Sequence, residues 1–372
     1  MNGIAGADRR MPWVDTARGL GIALVFAGHF LQDAAPRNAV AADAFQFLYA
    51  FHVPFFFLLS GCVTSLGRSY GAYLKTLFLR LIIPVLFFGL GFAALDVLLE
   101  LRHGHVDTVS LESEAENYLI GHPDFDWVTW FLVCLFVCES MAYWVAKVLT
   151  GITAQLLGGL LFIVVGAYVG NHSRDPHDGD LYFIARFWFL SEAVAAMGFF
   201  FIGRAVSGAL RARAWRPRLA PALAIGGLLL VLLTYRQNVD GRGTVVVMMA
   251  ARNHGNVFWF AGTALAGGFA LVGLGYLLRD SRLLALVGRN TLPLLGLNGL
   301  FFHRLNDLLI TRWPLPESRL ALTIIVLLVT IVSLAFCAPL VQALNYLVPQ
   351  LVGKPGVRGP LLPILDRRRK VA

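Results

Sequence analysis

Arg18 and His29 lie in the first apolar stretch of the chain, Trp13 to Leu31. An imidazole titrates closer to neutral pH than other side chains and is the commonest proton carrier in catalysis. A guanidinium presents a planar fork of donors that suits phosphate or carboxylate. Eleven steps of α-helix complete just over three turns, which places both side chains on one face, roughly 16 Å apart at about 1.5 Å per residue. At the centre of a bilayer a charged side chain costs on the order of 2.5 kcal/mol or more, so this face must turn toward protein or a wet cavity. Asp15, one turn before Arg18, is placed to hold the guanidinium. His52 lies in the next apolar run beside Pro54, and Arg80 stands at the start of the third. Glu139 and Glu192 fall within apolar runs and require partners there. The loop residues His103, His105, Glu112, Glu114 and Glu116 have a spacing that fits no closed metal site. Cys134 and Cys138 read as small packing residues, and no metal is expected.

The elements that position these residues are membrane helices. Hydrophobic residues make up 58% of the 372, charged residues 14%, and the mean hydropathy is +0.69. A soluble domain is about one quarter charged. About ten runs are long enough to cross a hydrocarbon core of roughly 30 Å. They lie near 13–33, 46–66, 80–100, 127–147, 151–170, 183–203, 219–236, 256–277, 291–311 and 320–346. The predicted fold class is an all-α polytopic membrane protein. A cytoplasmic arm occupies 1–12, the membrane domain 13–346 and a basic cytoplasmic tail 347–372. The first run, with Asp15, Arg18 and His29 inside it, makes a poor signal peptide and is kept as a helix.

Charge sets the orientation. With both termini in the cytoplasm, about two thirds of the Lys and Arg fall inside, as the positive-inside rule requires. They include Arg9, Arg10, Arg68, Lys75, Arg80, Lys147, Arg204 and the basic tail. The acidic loop residues Glu112 to Asp126 and Asp175 to Asp180 fall outside. The net charge of +9 is thus a topology signal with some attraction to anionic lipid, and no nucleic-acid partner is expected.

The motifs, in their order, resemble the acyltransferase-3 family of integral membrane O-acyltransferases. Asp15-x-x-Arg18-Gly19 with Arg18-x(10)-His29 is similar to that family's first-helix signature. Phe51-His52-Val53-Pro54 through Ser60-Gly61 resembles the start of its second helix, and Lys75 to Pro84 its basic inner loop. Trp130-Phe131-Leu132 resembles its Trp-Phe-Leu motif. Phe201-Ile202-Gly203 and Val287-Gly288-Arg289-Asn290-Thr291-Leu292 echo later positions. Where many members carry a further His, this chain has Asn298, to which no chemistry is assigned; His303, out of register, is read as an outer interfacial residue.

The resemblance implies acyl transfer from acyl-CoA, acetyl-CoA first among the donors, to a hydroxyl of a glycan or other cell-envelope acceptor, in the inner (cytoplasmic) membrane. A hydroxyl is a weak nucleophile and needs a base near its proton. The implied catalytic residues are His29, as base or as the residue that transiently carries the acyl group, and His52, as an orienting or second site residue. Arg18 and Arg80 are the implied donor-binding residues, with Asp15, Ser60, Trp130 and Glu139 supporting. Gly19, Gly21 and Gly28 are expected to admit close neighbours. Arg186-Phe-Trp-Phe189 is read as either a sugar-stacking or a lipid-facing run. The alternative from another class is a transporter or flippase for a lipid-linked glycan; the absence of an evident internal repeat stands against it.

Overall fold

The computed structural model describes residues 11–366 apart from 103, 105–106, 176, 178, 212–215 and 240–246. Arg9, Arg10, His103, His105, Asp178 and the final basic run Arg367 to Lys370 therefore lie outside the described residues.

In chain order the helices are α1 Pro12–Ala34, α2 Ala39–Tyr49, α3 His52–Val63, α4 Tyr70–Leu77, α5 Ile83–Arg102, α6 Thr108–Leu119, α7 Trp130–Val145 and α8 Ile152–Asn171. They continue as α9 Asp180–Arg186, α10 Leu190–Arg211, α11 Arg216–Thr234, α12 Val257–Leu277, α13 Arg282–Arg289, α14 Thr291–Asn298, α15 Asn306–Arg312 and α16 Arg319–Leu347. Starts follow local chemistry. Asn38 accepts from Ala41 N at 2.8 Å to cap α2, and Asn256 caps α12 through Phe258 N and Trp259 N. Pro54 sits in the first turn of α3, where its missing N–H costs nothing. Among the described residues nine helical segments are long and apolar enough to span a membrane.

The expected span at 291–311 is not a continuous helix. α14 has eight residues, about 12 Å of helix at 1.5 Å per residue, and cannot cross a bilayer. Beyond Gly299 the chain is extended at Phe302 (ψ 125°) and left-handed at His303 (φ 56°) before α15 begins. Asp33 at the end of α1 makes this break possible. One carboxylate oxygen accepts from the His303 backbone N–H at 3.1 Å and from Asn306 Nδ2 at 2.9 Å, and the other lies 2.6 Å from His303 Nδ1. Irregular backbone survives at membrane depth only where such partners replace the helical hydrogen bonds. His303, expected as an outer interfacial residue, has an exposed side chain and also pairs with a buried carboxylate.

α1 is the spine of the bundle. In its most apolar window 78% of residues are buried, against 28% in α8, α11 and α16, whose leucines and isoleucines face outward toward lipid. Two crossings hold the core together by glycine. A Cβ at Gly288 on α13 would lie 1.8 Å from Asp15 O, and one at Gly19 would lie 2.1 Å from Leu284 O. Gly61 on α3 and Gly203 on α10 meet the opposite backbone in the same way, each at 1.9 Å from a carbonyl oxygen. Without a hydrophobic driving force in lipid, such backbone proximity supplies the van der Waals contact that holds helices together.

Candidate functional site

The two ends of α1 open onto two different cavities. At the His29 end the cavity is lined by His29, Tyr49, His52, Trp127, Trp130 and Phe302, with Met248 to Ala250 at its rim. It encloses about 40 Å³, room for a few waters. His29 Nδ1 is in very short contact with the side-chain oxygen of Asn298 on α14. That oxygen can only accept, so Nδ1 carries the hydrogen and Nε2 keeps its lone pair. Phe302 stacks on the His29 ring with centroids 4.4 Å apart. The extended turn that Asp33 stabilises therefore delivers an aromatic face to the imidazole.

His52, fully buried at the start of α3, donates from Nδ1 to Leu48 O at 2.8 Å, which likewise leaves Nε2 free. Tyr49 meets His52 edge-on at 4.7 Å and donates its hydroxyl to Gln32 Oε1 at 2.5 Å. The structure thus brings the two predicted histidines into one cavity. Trp130 lines it too, packed 5.6 Å from Phe189. Phe189 is buried and stacks on His122 at 4.5 Å, while Phe187 is exposed. Trp188 and Phe189 hold left-handed backbone (φ 51° and 54°), a strained conformation for bulky residues. The 186–189 run is thus a packed corner at Phe189.

At the Arg18 end a cavity of about 220 Å³ is lined by Arg18, Ser60, Arg80, Phe131, Arg289 and Gly353, among others. Arg18 makes no hydrogen bond or ion pair with a described side chain, so its donors are open to a ligand. Arg80 lies in a π-helical turn, Phe78–Ile82, immediately before Pro84. Proline cannot return a hydrogen bond to the carbonyl four residues back, which is Arg80's own, and the widened turn accommodates the loss. Arg80 Nη2 approaches Glu139 Oε1 at 3.4 Å. Glu139, buried on α7, also accepts from Ser60 Oγ at 2.6 Å and Tyr73 OH at 2.9 Å. Arg80, Ser60 and Glu139 are thereby one network that ties α3 and the α4–α5 junction to α7. Glu192, also buried, accepts from its neighbour Ser191 Oγ at 2.8 Å.

Asp15 acts electrostatically on Arg18 and also pairs with Arg289 on α13, whose Nε lies 3.1 Å from Oδ2. Asp15 is one turn before Arg18 by sequence, but the Gly288 crossing brings Arg289 to it from another helix. The wall between the cavities is the Trp-Phe-Leu run of α7: Trp130 faces the His29 cavity, and Phe131 and Leu132 face the Arg18 cavity. Gly21 abuts Phe55 and Phe56, and Gly28 abuts Tyr49, so each admits a close aromatic neighbour.

Four site residues carried no role from sequence: Asn298, Phe302, Asp33 and Arg289. Arg289 sat in a recognised motif and Asn298 was marked as a departure from one. Neither carried a contact partner, because both partners are more than 260 positions away.

No curated protein and no solved structure matches the chain. A family model for the acyltransferase domain matches residues 11–341, nearly its whole length. With Arg18 and His29 at opposite ends of one buried helix and their motif partners gathered around each, the chain belongs to the acyltransferase-3 family of membrane acyltransferases.

Proposed function

We propose that this protein moves an acyl group, acetyl first among the candidates, from cytoplasmic acyl-CoA to a hydroxyl of an extracytoplasmic or membrane-associated glycan in the inner membrane. The observation that carries the reading is the pairing of an open Arg18 guanidinium and an Asn298-oriented His29 on a single helix. The positive-inside rule supports a cytoplasmic Arg18 end, where Arg80, Arg289 and Lys354 also lie.

The donor set fits a phosphate-bearing ligand. Arg18, Arg80 and Arg289 line one cavity, and Glu139 and Asp15 act on Arg18 through space without a described hydrogen bond to it. When bound, acyl-CoA supplies a thioester carbonyl, an activated acyl group that a hydroxyl can attack. Arg18 binds the anionic part and so fixes how far the reactive end reaches along α1, roughly 16 Å toward His29. His29 Nε2 accepts the hydroxyl proton as the oxygen bonds to the acyl carbon, and returns it to the CoA thiolate released when the C–S bond breaks, while Nδ1–H stays on Asn298 throughout. Phe302 and Trp130 keep bulk water from the imidazole. His52 Nε2 faces the same cavity and orients the incoming hydroxyl.

The test is NMR of surface glycans from cells making wild type, His29→Ala or Arg18→Ala at equal membrane levels. O-acyl signals present in wild type and absent from both variants are expected, and the shifted sugar resonances name the acceptor. Signals unchanged in both variants overturn the site. Signals lost with glycan stranded inside the cell would instead support transport.

A further inference from the structure

The largest cavity described is neither of these two. It holds about 570 Å³, within the range of small-molecule sites, and opens where α3 and α7 end, beside the start of α8 and the later turns of α10. Its lining is polar: Thr64 and Ser65 after α3, Tyr143 and Lys147 at the end of α7, Arg204 and Ser207 on α10. Neither Lys147 nor Arg204 forms an ion pair with a carboxylate among the described residues. Lys147 instead rests over the Trp144 ring at 4.0 Å, which holds the ammonium at the cleft edge without neutralising it. Tyr143 is tied down by its hydroxyl, which donates to Arg68 O at 2.7 Å. Two uncompensated cations beside hydroxyl donors recognise a phosphate ester.

The cleft is joined to the Arg18 cavity. Thr64 lines both, and Ser60 Oγ, which faces the Arg18 cavity, lies 3.3 Å from Thr64 Oγ1. The close packing of Gly61 on Phe200 O brings α3 against α10 and so sets Arg204 beside Thr64. A long ligand seated at Arg18 therefore has a polar path past Thr64 to Lys147 and Arg204.

We propose that this cleft is a phosphate-ester subsite that takes the terminal phosphate of the nucleotide end of the acyl donor, while Arg18 and Arg80 hold the phosphates nearer the thioester. This rests on the donor reading above. An anionic lipid headgroup offers the same chemistry, and the experiment separates the two sources.

Binding of acetyl-CoA and of 3′-dephospho-acetyl-CoA is measured by calorimetry on the full-length protein in phosphatidylcholine nanodiscs, with and without phosphatidylglycerol. Wild type is expected to bind the phosphorylated donor roughly ten- to hundredfold more tightly, as charge-assisted hydrogen bonds to one phosphate predict. Arg204→Gln should reduce that ratio to about threefold or less, at little cost to dephospho-donor affinity. Lys147→Gln, at an exposed position, should reduce it partly and guards against a folding defect in Arg204→Gln. Arg279→Gln, a cation outside the cleft, should leave the ratio unchanged. Equal wild-type affinity for both donors, or a full ratio retained in Arg204→Gln and Lys147→Gln, overturns the subsite while leaving the acyltransferase reading intact. Loss of affinity for both donors alike when phosphatidylglycerol is added to wild type but not to Arg204→Gln would assign the cleft to lipid and overturn the donor assignment. Wild type that binds neither donor overturns the subsite and the acyl-CoA reading together.

Discussion

Replacing Asn298 with Leu isolates the role of the His29 hydrogen bond. Leu keeps the branched four-atom shape in the fully buried position, at a somewhat larger volume, and removes the acceptor that faces Nδ1. The imidazole then has two options, both costly. It keeps hydrogen on Nδ1 with no partner, or it moves hydrogen to Nε2 and loses the lone pair that receives the substrate proton. A buried unmatched donor costs about 1–3 kcal/mol. At about 1.36 kcal/mol per factor of ten, the acyl-transfer rate should fall roughly 5- to 150-fold. Asn298→Asp keeps an acceptor at the same place and should restore most of the rate, a rescue that a purely structural role for Asn298 would not give. The assay is the initial rate of label transfer from radiolabelled acetyl-CoA into the glycan fraction of membrane vesicles, normalised to immunoblotted protein, with His29→Ala as the zero. A wild-type rate in Asn298→Leu would refute the orienting role, and so would equal loss in Leu and Asp variants.

Two other perturbations address the frame around the site. Glu139→Ala strips Ser60 and Tyr73 of a shared buried acceptor, at about 1.5–3 kcal/mol for a hydrogen bond to a charged group. Its half-exposed partner Arg80 adds little to that sum. The detergent-solubilised protein should therefore unfold at a visibly lower temperature, with Glu139→Gln intermediate; an unchanged melting curve in Glu139→Ala would contradict the network. Gly288→Ala pushes a methyl into Asp15 O and must part α1 from α13, an overpacking cost of about 1–3 kcal/mol. The same parting draws Arg289 off Asp15, so donor KM should rise along with the loss of thermal stability; stability lost at unchanged KM would remove Arg289 from the donor site.

The sequence carried the spans well where hydrophobic length alone decides. Nine long segments lie close to the apolar runs, because a helix in lipid has no alternative way to satisfy its backbone. The failure at 291–311 is instructive in that light. Its composition is apolar enough, but the break at Phe302 and His303 depends on Asp33, a residue on the first helix, and local pattern holds no record of that partner. The gathering of His29 with His52 and of Arg18 with Arg80 followed from motif order, since each pair belongs to early elements of the chain. Asn298 and Arg289 come from the far end of the chain and reach α1 only because Gly288 lets α13 lie against it. Asp15 shows the same limit: helical spacing places it beside Arg18, while its second cation, Arg289, comes from a tertiary crossing that spacing does not record.

Because both ends of the proposed reaction path sit on one unbroken helix, the register of α1 would act as a measuring scale. One residue inserted between Gly19 and Gly28 would advance His29 by only about 1.5 Å but turn it about 100° away from Asn298 and Phe302. Seven residues inserted there would nearly restore the face while moving the imidazole about 10.5 Å beyond the donor's reach. Length and phase cannot be satisfied together by any small change, so this stretch of chain should tolerate substitution far more readily than insertion or deletion.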